Sequence, residues 1–168
     1  MKLKQNEISA IKVLLASAEN RSNQTLEELH RKLSSDDLVE LYIDGAADLH
    51  SKTSGIGGVF FQNGNEIDSF SEFLGDATNN EAEYNALIRG LQVAKELNIS
   101  NICIYADSLL VVNQVNGEFM VKHENMIPLH TLATDLLDDF DSWTLKHILR
   151  DKNTVADKLS KAGMMSGR

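Results

Sequence analysis

One cysteine, one proline and one tryptophan occur in 168 residues, and aromatic residues make up only 6% of the chain. A lone Cys103 excludes an internal disulfide, and its place in the apolar run "NICIY" assigns it to buried packing. One proline beside ten glycines belongs to a composition that excludes a disordered chain, and no low-complexity tract or internal repeat is visible. Long hydrophobic runs are missing too. Stretches such as "LLVV" at 109–112 fall far short of the ~20 apolar residues that a membrane-spanning helix needs. Near the N-terminus, Glu7 and Lys12 interrupt what would have to be the apolar stretch of a signal peptide. A cytoplasmic location, with no membrane partner, is the expectation. Positive charge is also short: 16 Lys and Arg stand against 25 Asp and Glu, a net charge of −9. Such a balance excludes a protein that wraps nucleic acid through its overall field.

What is present is a globular composition, 42% hydrophobic and 24% charged, in a chain long enough to bury one ordinary core. The charge is uneven. Residues 146–168 hold six Lys or Arg against two Asp, leaving 10 positive and 23 negative charges in residues 1–145. The tail is thus +4 and the remainder −13. A basic tail is either a local phosphate contact or a solvated terminal helix.

Residues 5–18 and 25–34 have the spacing of two short helices, with "TLEE" at 25–28 as a capping box and "NRSNQ" as the turn between them. Residues 1–37 are therefore expected to form a helical hairpin appended to a main domain, 38–168. From residue 38 the pattern turns to strands. "LVELYIDGA" alternates up to Asp44-Gly45, "GIGGVFFQ" follows, and "NGN" at 63–65 signals a hairpin into "EIDSFSEFL". A helix is predicted over about 80–97, with Tyr84, Leu87, Ile88, Leu91 and Ala94 on one face. "NICIYAD" is a buried strand, helices are predicted at 108–116 and 126–140, and "WTLKHIL" at 143–149 is a fifth strand. "NTVADKLSKAGMM" closes the chain as a helix with Val155, Ala156, Leu159 and Ala162 inward. The order βββαβαβα, with one additional helix before the last strand, predicts an α/β domain with helices packed on a mixed five-stranded sheet.

Asp44 and Asp107 each fall at the predicted end of a strand, where sites in α/β sheets gather. An Asp-Gly pair also makes a turn, and an aspartate before a helix also makes an N-cap. Glu83 and Asp157 lie near the starts of their helices, where acidic side chains complement the macrodipole in any case. Four carboxylates in one place would repel one another unless divalent cations bound there. Two such ions about 4 Å apart serve phosphodiester hydrolysis.

The segments "LYIDGA", "TNNEAEYNALIRGL", "IYADSLLVVNQVNG" and "RDKNTVADKLSKAG", in that order, resemble type 1 ribonuclease H over about residues 38–164. The short bacterial and archaeal branch, with its "HxxRxxNxxAD" ending, is the most similar; here the ending is His147, Arg150, Asn153, Ala156 and Asp157. The resemblance implies a ribonuclease H-like fold and an endonuclease that cleaves the RNA strand of RNA–DNA hybrids, leaving a 5′-phosphate and a 3′-hydroxyl. It implies two Mg²⁺ ions, with Mn²⁺ as a substitute, held by Asp44, Glu83, Asp107 and Asp157. It further implies that His147, or Arg150 in its place, assists product release. Thr78, Asn79, Asn80, Ser108 and Asn153 become substrate contacts, although a helix cap is an equally ordinary role for Asn79, Asn80 and Ser108. Ribose 2′-hydroxyls and the minor-groove shape mark the RNA strand.

The chain departs from many relatives in "AADLHSKTSG" after the first aspartate and in Leu109 after Asp107-Ser108. Residues 113–130 lack the basic, Trp-bearing handle of some relatives, which predicts weaker, salt-sensitive substrate binding. In the tail, Arg150 and Lys152 are placed to reach a phosphate, while Lys158 and Lys161 are expected to be solvated on the closing helix. A binding module of this fold without turnover is the alternative reading, favoured by weak basic character and opposed by the filled acidic positions. A transposase- or integrase-like strand-transfer enzyme is opposed by the lack of added domains.

Overall fold

The computed structural model describes residues 38–167, together with Ile11, Val13 and Leu14, which are helical. Apart from those three positions, the hairpin expected over 1–37 lies outside the described residues. The elements run β1 (Val39–Asp48), β2 (Thr53–Gln62), β3 (Asn65–Gly75), α1 (Asn79–Glu96), β4 (Asn101–Ala106), α2 (Leu109–Val115), α3 (Met126–Leu137), β5 (Ser142–His147) and α4 (Thr154–Ser166), the last preceded by a 3₁₀ turn at Arg150–Lys152. One mixed sheet has the order β3-β2-β1-β4-β5. The first three strands form an antiparallel meander, and β4 and β5 run parallel to β1. This is the fold expected from the sequence. Asn63 and Gly64 both take positive φ, 53° and 77°, as the tight turn between β2 and β3 requires. Among the described residues, no helix is long and apolar enough to cross a membrane.

The core forms where α1 lays its apolar stripe on β1. Tyr84, Leu87, Ile88, Leu91 and Ala94 are all buried, as their spacing predicts, with Leu41 and Ile43 beneath them. Alternation along β1 turns Leu41, Ile43 and Gly45 toward α1 and Asp44 toward α4. The two helices thus cover opposite faces, and the acidic residue between them belongs to neither core. Cys103 is buried as expected and accepts a hydrogen bond from Thr144 Oγ1 at 3.1 Å.

Two expectations are corrected. β1 does not stop at Asp44-Gly45. Its parallel pairing with β4 ends at Ile43 opposite Ala106, but its antiparallel pairing with β2 continues to Asp48 opposite Thr53. Asp44 is therefore at the end of one ladder and inside another. The inward face of α4 is also different. Val155 is 45% exposed and Ala162 is exposed, while Ala156, Ser160 and Gly163 are buried. The cause lies in the sheet. A β-carbon on Gly55 would sit 2.1 Å from the Met164 nitrogen, and one on Gly57 would sit 2.3 Å from the Ser160 nitrogen. Backbone meets backbone there, so only small residues of α4 fit.

Candidate active site

Asp44, Asp107 and Glu83 arrive from three elements. Asp44, within β1, and Asp107, just past the end of β4, each follow the last paired residue of the β1–β4 ladder, so they stand side by side. Glu83 comes from the second turn of α1. Gly45 admits it: a β-carbon there would lie 2.3 Å from both the Ala82 carbonyl carbon and the Glu83 nitrogen. The Gly45 N–H then donates to Glu83 Oε2 at 3.2 Å. One carboxylate oxygen of each of the three residues lies within 4.8 Å of the others.

Asp44 is 1% and Glu83 4% exposed, and burial works against their charged forms. Desolvation, reinforced by the charges of Asp44 and Asp107, pushes the Glu83 carboxyl up to about 9. Desolvation likewise raises Asp44 to about 7, opposed by a hydrogen bond from Ser160 and reinforced by Asp107 and Asp157. Among the described residues, no Lys or Arg lies within ion-pair distance of Asp44 or Glu83. Three hard oxygen donors converging within 4.8 Å, two of them buried without a paired cation, fit a divalent metal ion in chemistry and spacing.

Asp157 stands apart from the trio. It lies in the first turn of α4, and both of its oxygens are engaged: Oδ1 accepts from Arg150 Nη2 at 3.0 Å and Oδ2 from Lys161 Nζ at 2.6 Å. Those partners, Lys161 first, hold its carboxyl below the usual range. Lys161 is thus an ion-pair partner of Asp157, not the solvated charge expected of it. Arg150 also reaches within 4.0 Å of Asp107 Oδ2, bridging the fourth carboxylate and the trio.

His147 ends β5 opposite Ala106, exposed at the rim one residue from Asp107. Thr78 caps α1 through a capping box with Glu81: the Glu81 N–H donates to Thr78 Oγ1 at 3.3 Å and the Thr78 N–H to Glu81 Oε2 at 2.8 Å. That leaves Asn79 and Asn80 exposed on the helix start. Ser108 caps α2, accepting from the Val111 N–H at 3.4 Å. Asn153 is 1% exposed and donates from Nδ2 to the Ile43 carbonyl at 2.8 Å, tying the start of α4 to the strand that carries Asp44. Gly45, Ser160 and Lys161 escaped sequence reasoning as parts of this site. So did the Thr78–Glu81 box, although its spacing was visible in "TNNE".

Residues 42–163 match the reverse transcriptase-like family. The chain belongs to that family. Its fold is that of type 1 ribonuclease H. It is 32% identical over 127 residues to ribonuclease HI of Halobacterium salinarum, a match that covers 75% of this chain and 64% of that one. The crystal structure of RNase H1 from Halobacterium salinarum superposes with a TM-score of 0.73 at 30% identity, covering 77% of this chain and 98% of that one. LC11-RNase H1 in complex with an RNA/DNA hybrid gives 0.71 at 28% identity, covering 77% and 98%.

Proposed function

We propose that this chain is a metal-dependent endonuclease that hydrolyses the RNA strand of RNA–DNA hybrids. The observation that carries the reading is the convergence of Asp44, Glu83 and Asp107 within 4.8 Å, on a fold shared with a ribonuclease H1 that holds such a hybrid. Residues 38–168 form the catalytic domain and 1–37 an appendage. The setting is cytoplasmic, and Mg²⁺ is the working cation, with Mn²⁺ as a substitute.

Asp44, Glu83 and Asp107 would hold the ions, joined by Asp157. Bound divalent cations supply charge neutralisation at the phosphate and activation of the attacking water. Arg150 holds Asp157 and reaches toward Asp107, so its guanidinium is available to a phosphate at the junction of the two groups. Exposed Asn79 and Asn80, on a helix start already capped by Thr78, are free to hydrogen-bond the nucleic acid. His147 at the rim is placed to meet the departing product. Ser108 and Asn153 bear on substrate through the elements they fix, α2 and the start of α4.

The test is incubation with a labelled RNA–DNA hybrid, duplex RNA and duplex DNA, each with Mg²⁺ or Mn²⁺. Cleavage confined to the RNA strand of the hybrid, leaving 5′-phosphates, is expected. Hybrid binding without cleavage under both ions would overturn the enzymatic reading in favour of a binding module.

A further inference from the structure

Ser160 is fully buried on α4, one turn beyond Asp157, where an apolar residue would ordinarily serve. Its hydroxyl meets two acceptors, Asp44 Oδ2 and the main-chain oxygen of Asp157, the latter at 2.9 Å. A hydroxyl carries one proton, and an ionised carboxylate is the stronger of the two acceptors. Ser160 thus donates to Oδ2 of Asp44, the contact that favours the charged carboxylate, whereas a hydrogen bond with Asp107 favours the protonated form.

The surroundings are built for this contact. Asp44 pairs with Gly57 across the β1–β2 ladder, and Gly57 lies directly beneath Ser160. A β-carbon on Gly55 would come within 2.5 Å of the Ser160 carbonyl oxygen, and one on Gly57 within 2.6 Å of the Leu159 β-carbon. These two glycines let the main chain of α4 descend until a side chain as short as serine spans the gap to the neighbouring strand. A larger residue at 55 or 57 would lift the helix and break the link.

We propose that Ser160 is a positioning residue for the cation site: it fixes one oxygen of Asp44, so that the carboxylate stays directed at Glu83 and Asp107 when an ion binds. The inference rests on Asp44 being a cation ligand. It deepens the functional reading by assigning the partner that orients that ligand, a role whose loss commonly weakens metal affinity by 10- to 100-fold. A serine bonded only to the carbonyl one turn back would be a local helix feature with no bearing on the ion.

Calorimetric titration with Mn²⁺ alone, without nucleic acid, separates these. The full chain, Asp44→Asn, Ser160→Ala and Ser160→Cys are compared at a temperature where circular dichroism shows each folded. The unaltered chain is expected to bind Mn²⁺ and Asp44→Asn to lose that binding. Ser160→Ala and Ser160→Cys should both bind at least about tenfold more weakly, although cysteine restores the lost volume. If Ser160→Cys binds Mn²⁺ within twofold of the unaltered chain, the side chain only fills space and the proposal fails, while the cation site stands. If Asp44→Asn titrates like the unaltered chain, the cation reading fails and takes the proposal with it. Ser160→Cys, which keeps the packing, decides alone where Ser160→Ala does not fold.

Discussion

Lys161 holds Asp157 from one helical turn away, its ammonium 2.6 Å from Oδ2 while Arg150 occupies Oδ1. A carboxylate so engaged must release a cation before a metal ion takes its place. Lys161→Met is therefore expected to tighten binding of the ion that Asp157 helps to hold. The pair is partly exposed, so its strength is at most about 1 kcal/mol and the gain about two- to fivefold. The Mg²⁺ concentration for half-maximal cleavage measures it, and an unchanged value would place Asp157 outside the ion site.

Arg150→Ala removes the ion pair with Asp157 and, with it, the phosphate contact proposed above. Removing a phosphate contact should weaken hybrid binding and flatten the slope of log affinity against log salt by about one. A salt titration of hybrid affinity checks this. An unchanged slope would shift substrate binding to the helix start at 78–80.

A cation held by Asp44, Glu83 and Asp107 binds the folded chain and not the unfolded one, so divalent ions should raise the melting temperature by mass action. Asp44→Asn or Asp107→Asn should abolish both that rise and cleavage. If both variants keep the rise, the ions bind elsewhere.

The ion-free protein should lose stability as pH rises. In the unfolded chain Asp44 and Glu83 ionise near pH 4. In the folded chain they hold their protons up to about 7 and about 9. Across that window the folded state binds more protons than the unfolded one, so stability is greatest on the acid side. It falls with rising pH for as long as either group is still protonated in the fold. Melts in a chelator at pH 5.5, 7 and 9 test this, and Glu83→Gln should flatten the alkaline half.

Gly45→Ala places a methyl group 2.3 Å from the α1 backbone. The helix must move, at a cost of about 1–3 kcal/mol, and Glu83 moves with it. Cleavage should fall far more than a stability loss of that size explains, measured well below the melting temperature.

Elements of one dominant period were legible from the sequence. The stripe of α1 and the "NGN" turn folded as their spacing dictates, because each is settled within a few residues. The trio was legible only through four motifs in order, since nothing local says that Asp44 and Glu83 meet. What escaped was small and long-range. Asp44-Gly45 has the look of a turn, yet Gly45 is a strand residue that makes room for α1. The α4 interface was misjudged because apolar size was taken to mark the inward face. Glycines far back in the chain, at 55 and 57, select the small residues of α4 instead.

β1 parts from β4 at Ile43 and runs on beside β2, leaving Asp44 and Asp107 each one residue past the last pair of the ladder, at one level of the sheet. Their separation is anchored one residue back, at the Ile43–Ala106 pair, where the inter-strand interval is about 4.8 Å. No change in the length of the 49–52 turn, the 63–64 hairpin or the 116–125 connection alters it. The gauge of the two aspartates is cut into the peptide hydrogen bonds that end beside them, and surface segments can be exchanged around it without recalibration.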